Sequence, residues 1–337
     1  MKDIIGNTPL IKITYEYHGK TNNIYTKLEN YNLTGSIKDR MVYYVIKKNK
    51  DNGVIKENMP LIEATSGNTG IALAAIGAYY NHPVYIFMPD FVSMERKKIM
   101  EMHGANVTLI SKEQGGFLKC IEEAKKMAHD IDGFLLNQFD NQDNVAAHYN
   151  TTGEEIQNNL DNIEYFVSGI GSGGTLMGVG KKLKERQNTK IIALEPDTMA
   201  ILSNGKQTKH KIEGIGDEFL PAIVDKKLID DVIQINDEDA INMARLLSRK
   251  LGLGVGISSG ANFLAAVLLK DETDKNVVTV FPDDNKKYIS TYLSKEIDNN
   301  PNYISNQINL ISIDSINKKW YNFLRWKGGM LCNFIIL

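Results

Sequence analysis

Cysteine is scarce in this chain. Cys120 and Cys332 are the only two in 337 residues, which argues against a disulfide framework and against a cysteine-ligated metal site. A reducing, cytoplasmic setting is the matching expectation. The six histidines are scattered without metal-ligand spacing, so no metal is expected. Excess charge of either sign is also lacking: a formal net charge of -2 gives no support for a nucleic-acid or membrane-surface partner. The longest apolar runs, such as Ile71 to Tyr80, fall well short of the ~20 residues that span a bilayer. The opening residues, Met1-Lys2-Asp3-Ile4-Ile5-Gly6-Asn7, have no basic segment followed by an apolar run, which speaks against a signal peptide.

What is present is ordinary globular composition, 42% hydrophobic and 24% charged, in a chain long enough for one large or two ordinary domains. From Leu61 to Glu195, short β-branched runs alternate with longer helical ones, the pattern of a parallel sheet covered by helices. Strands are expected at Leu61–Thr65, Val84–Met88, Asn106–Ile110, Phe134–Asn137, Tyr165–Ile170 and Lys190–Glu195. Helices are expected at Gly70–Tyr80, Met94–Gly104, Phe117–His129 and Thr175–Gln187. Further on, strands at Val232–Ile235 and Val277–Phe281 flank a helix over Asp237–Lys250 with Asp237 as its N-cap. Such sheets bind ligands beyond the carboxyl ends of their strands.

Three stretches at such places carry candidate chemistry. In the first, a strand-like run from Tyr25 ends in a Gly-containing turn, and an apolar-periodic helix (Met41, Val42, Val45, Ile46) follows Lys38. An amine there sits near helix-end amides and partly out of water, which favours its neutral, nucleophilic form. The second is Glu63-Ala64-Thr65-Ser66-Gly67-Asn68-Thr69-Gly70, whose backbone N–H groups and small hydroxyls at a helix start suit a carboxylate or phosphate. A capped strand-to-helix turn is the plainer alternative. The third, Ser168-Gly169-Ile170-Gly171-Ser172-Gly173-Gly174-Thr175, has the Gly-x-Gly-x-x-Gly form, and Glu195 ends the next strand. That text also fits a NAD-dependent oxidoreductase; what it supports locally is a phosphate on a helix N-terminus.

With these pieces in order, the chain resembles the cysteine synthase (O-acetylserine sulfhydrylase) family of fold-type II pyridoxal-phosphate enzymes, from Gly6-Asn7-Thr8-Pro9-Leu10 to about Leu293. The motifs that carry the resemblance are Lys27-Leu28-Glu29 with Gly35-Ser36-Ile37-Lys38-Asp39-Arg40, Thr65-Ser66-Gly67-Asn68-Thr69-Gly70, Gln138-Phe139, Gly171-Ser172-Gly173-Gly174-Thr175, Gly214-Ile215-Gly216 and Ser258-Ser259-Gly260-Ala261-Asn262. The resemblance implies an α/β fold of two open, twisted, mostly parallel sheets flanked by helices, like the tryptophan synthase β-subunit, with pyridoxal 5'-phosphate in the interdomain cleft. It implies a small mobile substrate-binding domain at 35–140, a larger cofactor-binding domain from 1–34 and 141–300, and a homodimer. Residues 301–337 form a C-terminal extension with no assigned role; it includes Trp320-Tyr321-Asn322-Phe323-Leu324 and an apolar end, Asn333-Phe334-Ile335-Ile336-Leu337.

Carried over residue by residue, Lys38 would form the Schiff base with the cofactor and later remove the substrate Cα proton. Asn68 would bond the 3-hydroxyl, and Gly171, Ser172, Gly173, Gly174 and Thr175 would hold the phosphate. Thr65, Ser66, Thr69 and Gln138 would grip the substrate carboxylate, with Gly214 and Asp217 on the substrate side. The implied reaction is β-replacement on a β-substituted L-amino acid, O-acetyl-L-serine plus sulfide to L-cysteine plus acetate, through an aminoacrylate. Glu195 then has no ribose to bind. Two departures from the family pattern bear on the outcome. The usual serine beside the pyridine nitrogen aligns with Asp284 in Pro282-Asp283-Asp284-Asn285, where a carboxylate would favour the protonated ring; the alternative is that Asp284 caps the next helix. Asp217-Glu218 stand where the family commonly has Ala-Gly. A carboxylate there could act as general base and turn the scaffold towards cysteine β-elimination or thiol exchange releasing hydrogen sulfide.

Overall fold

The computed structural model describes residues 1–186 and 188–316. Most of the aromatic and apolar extension noted above, with Cys332, lies outside the described residues. Among the described residues the strands are β1 (Leu10–Tyr17), β2 (Lys20–Leu28), β3 (Leu61–Ala64), β4 (Val84–Pro89), β5 (Asn106–Ile110), β6 (Phe134–Leu135), β7 (Tyr165–Gly169), β8 (Lys190–Pro196), β9 (Met199–Ala200), β10 (Lys206–Gln207), β11 (Asp231–Ile235), β12 (Val277–Phe281) and β13 (Asn309–Ser315). The helices are α1 (Lys38–Asp51), α2 (Asn68–Tyr80), α3 (Met94–Met102), α4 (Gly116–Asp130), α5 (Gln142–His148), α6 (Glu154–Asn159), α7 (Gly174–Lys184), α8 (Asp237–Leu251) and α9 (Ile257–Glu272).

Two main sheets result. One has seven strands in the order β11-β8-β7-β12-β2-β1-β13; the other has four, β5-β4-β3-β6, all parallel. In the larger sheet β11, β8, β7, β12 and β2 run parallel, while β1 is antiparallel to both β2 and β13. The β1–β2 hairpin closes through His18 and Gly19, with φ of 50° and 71°. Positive φ at both central residues is what a two-residue turn matching the strand twist requires. Neither β1 nor β13 was expected from the strand pattern; β13 is an edge strand whose alternation is blurred by exposed Ile311 and Ile313.

The larger sheet packs β1, β2, β7 and β8 against α8 and α9 on one face, and α7 against Phe166, Ile191 and Val278 on the other. The smaller sheet packs with α1 and α2 around Met41, Val42, Val45, Ile46, Leu61 and Ile71, all fully buried. Four such side chains on α1 contribute about 1.5–3 kcal/mol each, which fixes that helix to the smaller sheet. One expectation at a helix start needs correction. Asn236, not Asp237, caps α8, its side chain accepting from Glu238 N–H at 3.1 Å and Asp239 N–H at 3.3 Å. Asp237 instead accepts from the Lys211 N–H at 2.7 Å, tying the 211 loop to the start of α8. The carboxyl ends of β2, β3, β7 and β12 lead into the segments carrying Lys38, Asn68, Gly174 and Asp283, and this convergence positions the site.

Candidate active site

Lys38 opens α1. The turn before it is held by Asp39, whose carboxylate accepts from Thr34 N–H at 2.8 Å and from the Thr34 hydroxyl at 2.6 Å. Behind it, buried Arg40 meets Glu29 and Glu155 at 2.6 Å each, and Lys27 meets Glu155 at 2.7 Å. Two cations and two carboxylates thus anchor the first turn of α1 from below. Lys38 is half-buried, and protein packed around its amine lowers its pKa, with Asp217 and Asp283 pulling the other way. The larger neutral fraction is the form that attacks a carbonyl or takes a proton.

The 64–70 loop leaves β3 and enters α2. Thr65 Oγ1 accepts from Gly67 N–H at 3.0 Å, the Thr69 hydroxyl donates to Gln138 Oε1 at 2.7 Å, and the Gln138 amide donates to Ala64 carbonyl at 3.2 Å. Thr65, Thr69 and Gln138 therefore share one end of the smaller sheet, with Ser66 at the bend. Glu63 lies beneath, accepting from Ala64 N–H at 2.9 Å and Gln138 N–H at 3.4 Å, and burial pushes its pKa up to about 8. Neutral at pH 7, it puts no competing negative charge under an anion held at the α2 N-terminus.

The glycine loop joins β7 to α7. Gly173 has φ of 90°, a conformation that side chains resist, and a Cβ on Gly171 or Gly174 would strike the Gly214 carbonyl or Asn144 Oδ1. Asn144 donates to Ser172 Oγ at 3.0 Å and to the Gln138 carbonyl at 2.9 Å, joining this loop to the segment after β6. Thr175 Oγ1 lies 3.5 Å from His148 Nε2. Burial keeps His148 neutral, with the Lys38 amine acting in the same direction. Glu195 is engaged elsewhere: its carboxylate accepts from Leu202 N–H at 2.9 Å, from Ser203 N–H at 3.0 Å and from the Ser203 hydroxyl.

The two acids singled out in the sequence part company. Asp217 lies within electrostatic reach of Lys38; burial raises its pKa to about 6, Lys38 offsetting this in part. It lines a small cavity with Ile170, Gly171, Gly216 and Phe219. Asp284 does not stand where a ring nitrogen partner was expected. It caps the short 3₁₀ turn Asn285–Tyr288, accepting from Lys286 N–H at 3.1 Å, and lies 3.5 Å from Lys287 Nζ. The reason is register. Asp283 bridges to Ser36 and Asp284 to Val255, and adjacent residues of an extended segment point to opposite sides. The inward carboxylate is Asp283, which accepts from Asn68 Nδ2 at 2.8 Å and from the Tyr288 hydroxyl at 2.7 Å. Asp283, His148, Arg96 and Glu213 were not identified as site residues. Asp283 stands one place from Asp284 and Glu213 directly precedes Gly214-Ile215-Gly216, while His148 and Arg96 have no motif to mark them.

These residues fit a phosphorylated pyridine aldehyde. Asn68 Oδ1, Ser259 Oγ and Asp283 Oδ1 are buried without hydrogen-bond partners among the described residues, a polar lining suited to a ring with polar substituents. The free N–H groups of α7 and the side-chain-free glycines before it suit the phosphate, and Lys38 suits the aldehyde. Among the described residues no cluster of histidine, cysteine and acidic side chains could hold a metal ion.

A cleft lysine between two mostly parallel sheets, with a glycine-rich anion loop on the larger one, defines a fold-type II pyridoxal-phosphate enzyme. The chain belongs to the cysteine synthase family of pyridoxal-phosphate dependent enzymes, residues 1–283 matching the family described as pyridoxal-phosphate dependent enzyme. Cysteine synthase B of Campylobacter jejuni is 41% identical over 297 residues, 87% of this chain and 97% of that protein. The hydrogen sulfide-producing enzyme of Fusobacterium nucleatum is 46% identical, with a TM-score of 0.89 over 94% of this chain and 98% of that one. An Asp-to-Asn variant of that enzyme was solved with an alpha-aminoacrylate intermediate. Cysteine synthase of Entamoeba histolytica is 37% identical, with a TM-score of 0.82 over 90% of this chain and 93% of that one.

Proposed function

We propose that this chain catalyses β-replacement on a β-substituted L-amino acid, O-acetyl-L-serine and sulfide giving L-cysteine and acetate. The observation that carries the reading is the desolvated Lys38 amine at the meeting point of the 64–70 and 169–175 loops, with Asn68 and Asp283 beside it. Pyridoxal phosphate, when bound, supplies the electron sink that lets a proton leave Cα and a group leave Cβ. Lys38 anchors the cofactor and then moves the Cα proton at its Nζ. Gly171 to Thr175 and the α7 N-terminus hold the phosphate, and Asn68, set by Asp283, holds the 3-oxygen. Thr65, Ser66, Thr69 and Gln138 hold the substrate carboxylate, and closure of a small 35–140 unit on a 1–34 and 141–300 unit excludes water. The protein acts as a homodimer in the cytoplasm on this reading.

The test is to supply purified protein with O-acetylserine and sulfide. Cysteine should form, and Lys38→Ala should lose that activity. Cysteine formation by the Lys38→Ala protein, or none by the wild type, refutes the proposal.

A second reading is favoured by Asp217, a carboxylate with a pKa of about 6 within electrostatic reach of Lys38. Such a group takes protons from water or a thiol, supporting L-cysteine β-elimination or thiol exchange with release of hydrogen sulfide. Hydrogen sulfide from cysteine alone, at a turnover comparable with synthesis, would establish this second activity.

A further inference from the structure

Arg96 has no part in the chemistry above, yet it is among the most buried charged residues of the molecule, 2% exposed on α3 of the smaller-sheet side. Its guanidinium makes three contacts with three different segments. Nη1 donates to the Ser66 carbonyl at 3.2 Å, at the bend of the 64–70 loop. The same nitrogen pairs with Glu213, on the loop that leads to Asp217. The guanidinium also lies over the Tyr288 ring, 4.9 Å from its centroid, and the Tyr288 hydroxyl bonds Asp283. Gly67 presses on the arginine from the loop side, where a Cβ would fall 2.9 Å from Nε.

Glu213 begins a segment that crosses from one sheet to the other. Gly214 and Gly216 follow it with φ of 93° and 72°, so the chain takes a path that side chains resist. Gly216 N–H donates to the Ile170 carbonyl at 2.9 Å, on the larger-sheet side. Phe219 then packs edge-on against Phe139, ring centroids 5.0 Å apart, next to Gln138. The strap 213–219 is therefore fastened to the smaller-sheet side at both ends and to the larger-sheet side in the middle, with Asp217 between the fastenings. Its first fastening is charged, with Arg96 buried and Glu213 half-buried: desolvation raises the Glu213 pKa and Arg96 opposes that. Such a pair is a specific connector, because the buried Arg96 guanidinium left without Glu213 is a stranded charge.

We infer that Arg96 and Glu213 are positioning residues that form a latch across the cleft, setting the substrate-carboxylate loop 64–70 and the strap carrying Asp217 in one coupled arrangement. The assignment of these two loops to substrate rests on the function proposed above; the mechanical coupling does not. Arginine is needed because only a planar guanidinium can donate to a carbonyl and a carboxylate while stacking on a ring.

The test uses the holoenzyme and two variants, Arg96→Lys and Glu213→Gln, with amide hydrogen exchange and steady-state kinetics. Each variant should speed exchange about tenfold in both 65–70 and 213–219, since each loop loses its fixed partner. The KM for the amino-acid substrate should rise about tenfold with kcat within about threefold, the signature of lost ground-state positioning. The double variant should be no worse than either single one. Loosening confined to the mutated residue's own side, or additive effects in the double variant, would overturn the latch. Should Arg96→Lys fail to fold, the isosteric Glu213→Gln carries the test alone, read at 65–70 on the opposite side. A colourless, inactive wild type sinks the functional reading while the exchange data still judge the coupling.

Discussion

Replacing Asp217 by asparagine separates synthesis from elimination. In the wild type, burial holds the Asp217 pKa at about 6 against an ordinary value of 3.8. At pH 7 about nine-tenths of the population is then ionised, and at pH 5 about one-tenth. If this carboxylate is the base that delivers water or thiol, kcat/KM for hydrogen sulfide release from cysteine falls about tenfold per pH unit below 6. Asp217→Asn should lower that release by about 10²–10⁴-fold, the usual worth of a general base, and remove the acid limb. Cysteine formation from O-acetylserine and sulfide should change by only about threefold, since a nucleophile that is already an anion needs no base.

The same carboxylate has a thermodynamic signature. An acid whose pKa is raised in the fold is tolerated when protonated and opposes folding once ionised, so stability falls as pH rises from about 4 through about 6. The gap corresponds to an upper limit of about 3 kcal/mol at pH 8, which Asp217→Asn should recover in denaturant unfolding of the cofactor-free protein. Sulfide release by Asp217→Asn at the wild-type rate, with the acid limb intact, refutes the base assignment. An unchanged unfolding midpoint at pH 8 refutes the claim of costly burial.

Lys38→Ala should abolish turnover by at least about 10³-fold and remove the visible absorbance of the cofactor-loaded protein, while leaving the fold intact because it deletes a desolvated amine; absorbance spectra and urea melts check both. Arg40→Met strands Glu29, which is fully buried, and should cost about 3–5 kcal/mol in denaturant unfolding; a loss below about 1 kcal/mol would show that the network under Lys38 is not a stabilising unit. Burial alone would raise the Glu155 pKa, but Arg40 and Lys27 outweigh it and hold it at about 2. Its contribution is therefore full above the ordinary value of 4.5 and lost as pH falls towards 2, and Glu155→Gln should flatten stability across that window. Gly174→Ala drives a methyl into Asn144 Oδ1 and should weaken cofactor retention by about tenfold or more, read by equilibrium dialysis of pyridoxal phosphate.

Much of this was legible in the residues because the signals are local. The parallel strands of both sheets follow from β-branched runs between helical ones, and their observed bounds differ from expectation by a residue or two at most positions. The glycine loop before α7 reads as an anion site because glycine, helix start and strand end coincide in one short stretch. Lys38 gained its meaning from order along the chain: the other motifs had to follow it in sequence for a cofactor to be inferred.

What the chain alone left open were choices between neighbours and between distant partners. Asp283 and Asp284 are identical in type and adjacent, and only the bridges to Ser36 and Val255 decide that Asp283 turns inward. A one-residue difference in register reverses the facing of an extended segment, and nothing in its composition records which register wins. Asp237 and Asn236 pose the same problem at the start of α8. Arg96 and Glu213 lie far apart in sequence and share no motif, so their pairing exists only once two sheets are brought together. By itself the sequence determined the family and the cofactor and singled out Lys38 as the candidate lysine, because each is written in contiguous residues. Tertiary structure decided which acids face the cleft and how the two sides are held together, because those depend on register and on long-range contact.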